Sequence, residues 1–358
     1  MANKNLAKAK NAKNDEFYTQ YADIQKEINA YLEYNPDVFR GKTVLLPCDD
    51  PEWSNFTKFF AQNFENFGLK KLISTSYAVE SKIYKEGYMP SLFETQSPNF
   101  DEQKTRTRGK IFVLDHDTNN SGRIDIDDLQ WEYLEGDGDF DSKEVRKLRD
   151  EADIIVTNPP FSLFRKFMAW IVEANKKFVI IGNMNAITYK EIFPLIKDNK
   201  MWLGGTGFMS DMVFAVPKGT IVPKAYKEKA EKLGYIGDFT RLGNSCWFTN
   251  IDHGRRHQPL QLMTMEDNIK FSRHKEIKGC NYKQYDNYDA IEVPFTDAIP
   301  EDHKGIMGVP ISFLDKYCPE QFEILKCSAY TSEEHSGCGS LYVENEKIYA
   351  RILIRKKQ

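Results

Sequence analysis

The sequence lacks several features that would fix its class at once. In 358 residues no run of about 18 apolar side chains occurs, so a membrane-spanning helix is not expected. The cysteines at 48, 246, 280, 318, 327 and 338 form no Cys-x-x-Cys pair, which suits reduced thiols in a cytoplasm better than a disulfide framework. Cys327, His335 and Cys338 match no zinc-ligand spacing. The stretch Met1-Ala2-Asn3-Lys4-Asn5 runs into Lys8, Lys10 and Lys13 without an apolar segment, so no secretory leader is expected. Internal repeats are absent.

An excess of positive charge is also missing: the formal net charge is −4. The charge is uneven, however. Residues 115–154 hold 14 acidic against 5 basic side chains, whereas residues 1–13 hold four lysines and no acid. Phosphate contacts need local basic surface, not a basic whole, so the total charge does not exclude a nucleic-acid partner.

Residues 1–13 are polar and unpatterned and read as a mobile basic arm. Short apolar runs bounded by turn residues then recur at Thr43–Leu46, Lys71–Ser76, Lys110–Leu114, 153–157 and 178–182. Helical patterns lie between them, as in 53–67 and in 162–175, where Phe164, Phe167, Met168 and Ile171 share one face. Strands that are apolar throughout and alternate with helices predict an α/β fold with a parallel sheet covered on both faces. Ligands then bind where strands end, so functional residues are expected just after each strand. After Gly204 prolines break the chain into shorter pieces. Strands are expected at 212–216 and 246–250, with a closing hairpin of 340–343 and 347–354.

The most informative segment is Asp153-Ile154-Ile155-Val156-Thr157-Asn158-Pro159-Pro160-Phe161. A buried strand ends in Asn-Pro-Pro-Phe, and a helix opened by Ser162 follows. Two prolines remove two backbone donors and stiffen the turn. The Asn158 side-chain oxygen and the Pro159 carbonyl are then aimed off the strand edge as acceptors. An aromatic amine offers two N–H donors and a lone pair delocalised into its ring. Two acceptors aimed at those hydrogens localise the lone pair for attack on a sulfonium methyl, and Phe161 stacks on the base. Taken from the motif alone, the chemistry is N-methylation of an amine or amide.

This sequence resembles the EcoRI-type adenine-specific DNA methyltransferases. The likeness rests on Asn14-Asp15-Glu16-Phe17-Tyr18-Thr19-Gln20, Cys48-Asp49-Asp50-Pro51 with Ser54-Asn55-Phe56, Gly138-Asp139-Phe140, Val156 to Arg165, Ile187-Thr188-Tyr189-Lys190-Glu191 and Trp247 to His253, in that order. It implies a Rossmann-like sheet that uses S-adenosyl-L-methionine, with no catalytic metal, and a C-terminal region that recognises double-stranded DNA. By match, residues 14–220 form the cofactor-binding catalytic domain, with an acidic insertion at 115–130, and residues 221–358 the target-recognition region. Phe17, Tyr18 and Thr19 resemble the motif covering the cofactor's methionine end. Pro47, Cys48, Asp49 and Asp50 stand where these enzymes cradle the cofactor. Asp139 and Phe140 resemble the pair that meets its adenine, and Asn158, Pro159, Pro160 and Phe161 the catalytic motif. Motifs in this order are similar to the gamma class of amino-methyltransferases. Two departures stand out. No Gly-x-Gly follows the first strand, and Ser76-Tyr77 replaces the acid that often binds the ribose, with Glu80 displaced from that place.

Other signals are weaker. Asp117, Asn119, Ser121, Asp125 and Asp128 fit a twelve-residue calcium loop with Gly122 at its sixth position. The position-twelve residue is Asp instead of Glu, and no helix enters, so a solvated acidic insertion is the favoured reading and a structural calcium ion the alternative. Arg241, Arg255 and Arg256 are candidates for DNA contact, and Phe214 for stacking on an extruded base, against a plain core role. The expected protein is a monomer or weak dimer, with a cognate restriction endonuclease as a candidate partner. The competing readings are N-methylation of cytosine N4, RNA adenine or a protein amide, and a non-catalytic DNA-binding protein on a degenerate methyltransferase fold.

Overall fold

The computed structural model describes residues 18–49, 54–78, 95, 98–207, 212–216, 222–331 and 333–357. The described residues up to Asn183 together with 212–251 form one compact unit, and residues 184–207 with 252–357 form another. No helix among the described residues is long and apolar enough to cross a membrane.

The strands of the first unit are β1 (Tyr18–Thr19), β2 (Thr43–Leu46), β3 (Lys71–Ser76), β4 (Lys110–Leu114), β5 (Gln130–Tyr133), β6 (Ile154–Thr157) and β7 (Lys177–Asn183). After β8 (Trp202–Leu203), which belongs to the second unit, come β9 (Val213–Ala215), β10 (Phe239–Arg241) and β11 (Ser245–Thr249). Seven of them lie in one sheet in the order β5-β4-β3-β2-β6-β7-β11. The centre, β3-β2-β6-β7, is parallel. The flanks β4, β5 and β11 are antiparallel to their neighbours. The sheet is therefore a mixed Rossmann-like one, and the all-parallel expectation needs correction at Lys110–Leu114. Strands β4 and β5 are joined by the acidic loop, a connection that suits antiparallel neighbours and needs no crossover helix. β1, β9 and β10 make a separate small sheet.

Described helices of this unit as far as β7 are α1 (Tyr21–Tyr34), α2 (Asn55–Gln62), α3 (Phe64–Phe67), α4 (Glu102–Thr107), α5 (Lys143–Glu151) and α6 (Phe164–Glu173). The single helix expected over 53–67 breaks at Asn63 into α2 and α3. One core gathers Ile24, Ile28 and Tyr31 of α1 with Phe56, Phe59, Phe60, Phe64 and Phe67 against the sheet. A second aromatic group sets Phe140 5.0 Å from Phe167 and 5.6 Å from Trp170, and Phe164 5.2 Å from Phe248. The predicted apolar face of α6 is buried in full. Gly182 makes this possible, since a Cβ there would lie 2.3 Å from the Phe164 ring.

Burial also leaves a mark on the first turn of α1. It lifts the Asp23 carboxyl from 3.8 to about 6, with Lys26 pulling the other way. A raised folded value means the penalty is absent below the unfolded pKa and grows as pH rises through the window from about 4 to about 6. Asp23→Asn is therefore expected to match the parent in stability at pH 4. Above pH 6.5 it should exceed it by about 2 kcal/mol, discounted for partial exposure. Urea unfolding at the two pH values checks this, and equal differences at both would refute it.

Continuing along the chain, the remaining helices are α7 (Phe193–Lys197), α8 (Lys224–Lys232) and α9 (Met265–Phe271); α7 and α9 belong to the second unit. That unit also carries β12 (Ile291–Glu292), β13 (Met307–Pro310), β14 (Phe322–Cys327), β15 (Tyr342–Val343), β16 (Glu346–Lys347) and β17 (Arg351–Lys356). Its sheet runs β12-β13-β17-β14. A buried ion pair, Arg351 to Glu292 at 2.7 Å, spans that sheet, and Tyr285 donates to the same carboxylate. The expected closing hairpin is shorter than predicted. Glu344 and Asn345 take φ of 53° and 66°, a tight turn joining β15 to β16, and the chain beyond Lys347 leaves to form β17.

Candidate active site

Strand order reverses between β2 and β6: β2 leads outward to β3, and β6 to β7. Such a switch point opens a crevice at the carboxyl ends of the strands. Pro47-Cys48-Asp49 leaves β2 on one side of that crevice, and Asn158-Pro159-Pro160-Phe161 leaves β6 on the other.

The β2 side is tightly held. The Asp49 backbone N–H donates to Thr75 O at 3.1 Å, and the Thr75 hydroxyl donates to Pro47 O at 3.1 Å. The Asp49 carboxylate is buried and accepts the Ser54 hydroxyl at 2.7 Å and the Thr157 hydroxyl at 2.6 Å. Each of its oxygens thus accepts a hydroxyl of the protein. Cys48 lies among Asp49, Thr157, Tyr77 and Asp139; burial, reinforced by the Asp49 charge, pushes its thiol well above the usual range. A thiol so placed is a poor nucleophile.

The loop carrying Asp139 and Phe140 closes the same region from the β3 side. Ala78 N–H donates to Asp137 O at 2.8 Å, pinning the loop to the end of β3. Gly138 has φ +83°, and a Cβ there would lie 2.3 Å from Ser76 O. The Phe140 ring is buried in the aromatic group. Asp139 is half-buried, and its carboxylate accepts the Asp141 amide at 2.9 Å. Burial also pushes the Tyr77 hydroxyl well above its ordinary value, beside Cys48 and Asp139.

On the β6 side, Asn158 is half-buried and its Nδ2 donates to the Thr19 hydroxyl at 3.4 Å. An amide that donates in one direction turns its oxygen the other way. Thr19 is itself buried, held by β9 and by Asn55 Nδ2, which donates to Thr19 O at 2.8 Å. Among the described residues no hydrogen bond ends on the Pro159 carbonyl, whereas Pro160 O accepts the Leu163 amide at 2.9 Å. Phe161 is half-buried against the first-unit core.

The fold thus brings Tyr18-Thr19, Pro47 to Asp49, Asp139-Phe140 and Asn158 to Phe161 to one edge; Phe17, Asp50 and Glu80 lie outside the described residues. A backbone cradle that tolerates no Cβ at Gly138, with an acid and buried hydroxyls around it, suits a nucleoside-bearing cofactor. Ser54, Thr157 and Tyr77 were not among the candidate site residues. Ser54 carried the one available signal, a serine just before a helical pattern, and it does cap α2 by accepting the Phe56 amide at 3.1 Å.

The other candidate residues are placed as follows. Phe214 is fully buried in the core between β1 and β10, so its ring has no face to offer a base in this state. Arg255 pairs with Asp315 at 2.6 Å. Arg256 lies 3.8 Å over the Trp202 ring and donates to Asn199 at 2.7 Å. Both guanidiniums have partners inside the second unit. Arg241 sits half-buried on β10. In the acidic loop the carboxylates turn onto backbone amides. Asp117 accepts from Ser121 and Gly122, and Asn119 accepts from Ser121 as well. Asp128 accepts from Asp125, Thr118 and Asn119, and these donors, the Asp125 amide foremost, hold it below the usual carboxylate range. Asp125 pairs with Arg123 at 2.8 Å. The loop closes as a hydrogen-bonded acidic turn. No group of three or more metal-ligating side chains occurs among the described residues.

Comparison with known proteins gives the same direction. The sequence model of the family described as adenine-specific methyltransferase EcoRI matches residues 5–357. Type II methyltransferase M.EcoRI of Escherichia coli is 41% identical over 362 residues, 99% of this chain and 97% of that protein. Type II methyltransferase M.MpnI of Mycoplasma pneumoniae is 33% identical, and M.MgeORF184P of Mycoplasma genitalium 32%, each alignment covering 98% of both chains. No solved structure matches the chain significantly. With its motifs gathered at the switch point of a Rossmann-like sheet and this likeness running end to end, the chain belongs to the EcoRI family of adenine-specific methyltransferases.

Proposed function

We propose that this enzyme methylates adenine N6 at a specific site in double-stranded DNA, using S-adenosyl-L-methionine and drawing the target base out of the duplex. The supporting observation is the Asn158–Pro159 corner, which stands across the switch-point crevice from the Pro47 to Asp49 loop. Tyr18, Thr19, Pro47 and Cys48, with the loop through Asp139 and Phe140, hold the cofactor. When bound there, it supplies an electrophilic methyl carried on a positively charged sulfur.

Asn158 Oδ1 and the Pro159 carbonyl accept the two N–H bonds of the target amine and draw its lone pair out of the ring. These acceptors are fixed before the reaction begins, Asn158 by Thr19 and Pro159 by the rigid turn, so little reorganisation accompanies charge development. Phe161 packs beside the base. An adenine inside the stack cannot bring N6 to this corner, so extrusion, at a cost of a few kcal/mol, precedes the chemistry. A covalent cysteine route is disfavoured by the raised Cys48 thiol. The C-terminal part reads the target sequence, and the Type II names of the relatives suggest that methylation shields DNA from an endonuclease with the same target.

Incubation of enzymatically amplified, unmodified DNA with methyl-labelled S-adenosylmethionine, followed by digestion to nucleosides, tests this reading. Label should appear in N6-methyldeoxyadenosine. Label on cytosine N4, or transfer only to RNA or protein, would contradict it.

A further inference from the structure

The two strands that flank the crevice are joined by remarkably little backbone.

 The β2–β6 ladder comprises Val44↔Ile154 and Leu45↔Ile155, while β6 continues to pair with β7 as far as Thr157↔Ile180. At the level of Thr157, then, among the described residues, the ladder pairs β6 on the β7 side alone. The Asp49 carboxylate crosses the other side, accepting the Thr157 hydroxyl at 2.6 Å.

Asp49 is well anchored for that task. It is 7% exposed. Its backbone N–H donates to Thr75 O at 3.1 Å, its carbonyl accepts the Ser74 hydroxyl, and the Ser74 hydroxyl lies 3.1 Å from that of Thr57 on α2. Its second carboxylate oxygen takes the Ser54 hydroxyl at 2.7 Å, and Ser54 in turn caps α2. β3 and α2 thus fix the carboxylate, and the carboxylate fixes the last residue of β6. Thr157 immediately precedes Asn158.

We propose that Asp49, through Thr157, is a positioning residue that sets where Asn158 stands across the crevice from the cofactor loop, and is not itself a cofactor ligand. The inference rests on reading Asn158 as the acceptor for the target amine. A hydrogen bond to a buried carboxylate is short, directional and stronger than one between neutral groups, so it suits the holding of a register. Displacement of a catalytic group by about 1 Å costs on the order of 100-fold in rate.

Thr157→Val removes the hydroxyl at nearly constant shape, whereas Thr157→Ser keeps it. Turnover of Thr157→Val should fall by about 10- to 100-fold. Its calorimetric Kd for S-adenosylmethionine should stay within about threefold of the parent, because no cofactor contact is lost, and Thr157→Ser should recover most of the turnover. Asp49→Asn gives an independent check should Thr157→Val fold poorly, with the same expected split between turnover and cofactor affinity. Unchanged turnover in Thr157→Val, a serine variant as impaired as the valine one, or a loss of cofactor affinity in Asp49→Asn matching its loss of turnover would each overturn the proposal. Asn158→Ala, assayed alongside, separates the two levels: full turnover there would sink the catalytic reading itself, whereas loss there with an unaffected Thr157→Val sinks only the positioning role.

Discussion

Asn158→Ala is expected to lower the turnover of methyl transfer by about 100- to 1,000-fold, equivalent to ~3–4 kcal/mol. Calorimetric affinity for S-adenosylmethionine should change little. The reasoning is that the side-chain oxygen acts on the amine as charge develops, so its loss is felt in the transition state and not in the ground-state complex. Asn158 is half-buried just beyond the last residue of β6, so its side chain takes no part in the sheet's backbone ladder. Truncation therefore leaves the sheet intact, and thermal unfolding should stay near that of the parent. A variant that keeps its turnover removes Asn158 from the mechanism.

Gly138→Ala is expected to act on the other half of the reaction, cofactor binding. The residue has φ +83°, and a Cβ would meet Ser76 O at 2.3 Å. A left-handed backbone costs a side chain of order 1–3 kcal/mol. The clash adds to this, because the opposing atom is backbone at the end of β3 and no flexible side chain can yield. The loop must lift, carrying Asp139 and the Phe140 amide with it. Cofactor affinity should fall at least about tenfold, equivalent to ~1.4 kcal/mol, and thermal stability should drop as well. Gly122→Ala is the control, since Gly122 has φ +85° but nothing within 4 Å of its Cβ. It should show the backbone strain with unchanged cofactor affinity. Equal affinities in the two variants would mean that the loop through Asp139 is not part of the cofactor site.

Much of the central sheet was legible because its strands are short runs with apolar, largely buried centres bounded by turn residues. Thr43–Leu46, Lys71–Ser76 and Lys110–Leu114 occur at the predicted bounds. Strand direction was not legible: apolar runs look alike whether the neighbour is parallel or antiparallel, and β4 turned out antiparallel. Nor was the return of β11 to β7, which puts residues beyond 220 into the first unit, because pairing across so much chain leaves no local pattern. The Asn-Pro-Pro-Phe corner could be read from sequence because proline and asparagine constrain backbone and chemistry together. The Asp49–Thr157 contact could not, since the partners are far apart in sequence and each is an ordinary residue for its place. The basic cluster at Arg255 and Arg256 was legible, whereas the contacts of those side chains with Asp315, Asn199 and Trp202 were not.

In the proposed reaction two oxygens at the end of β6 meet one aromatic amine. A crystal structure of the enzyme with its target duplex and a non-reactive analogue of S-adenosylmethionine measures it directly. The account predicts an extruded adenine whose N6 lies about 2.7–3.2 Å from both Asn158 Oδ1 and the Pro159 carbonyl, facing the analogue's sulfur position. An adenine still stacked in the duplex in that complex, or an amine held by other groups with Asn158 turned away from the cofactor, would contradict it.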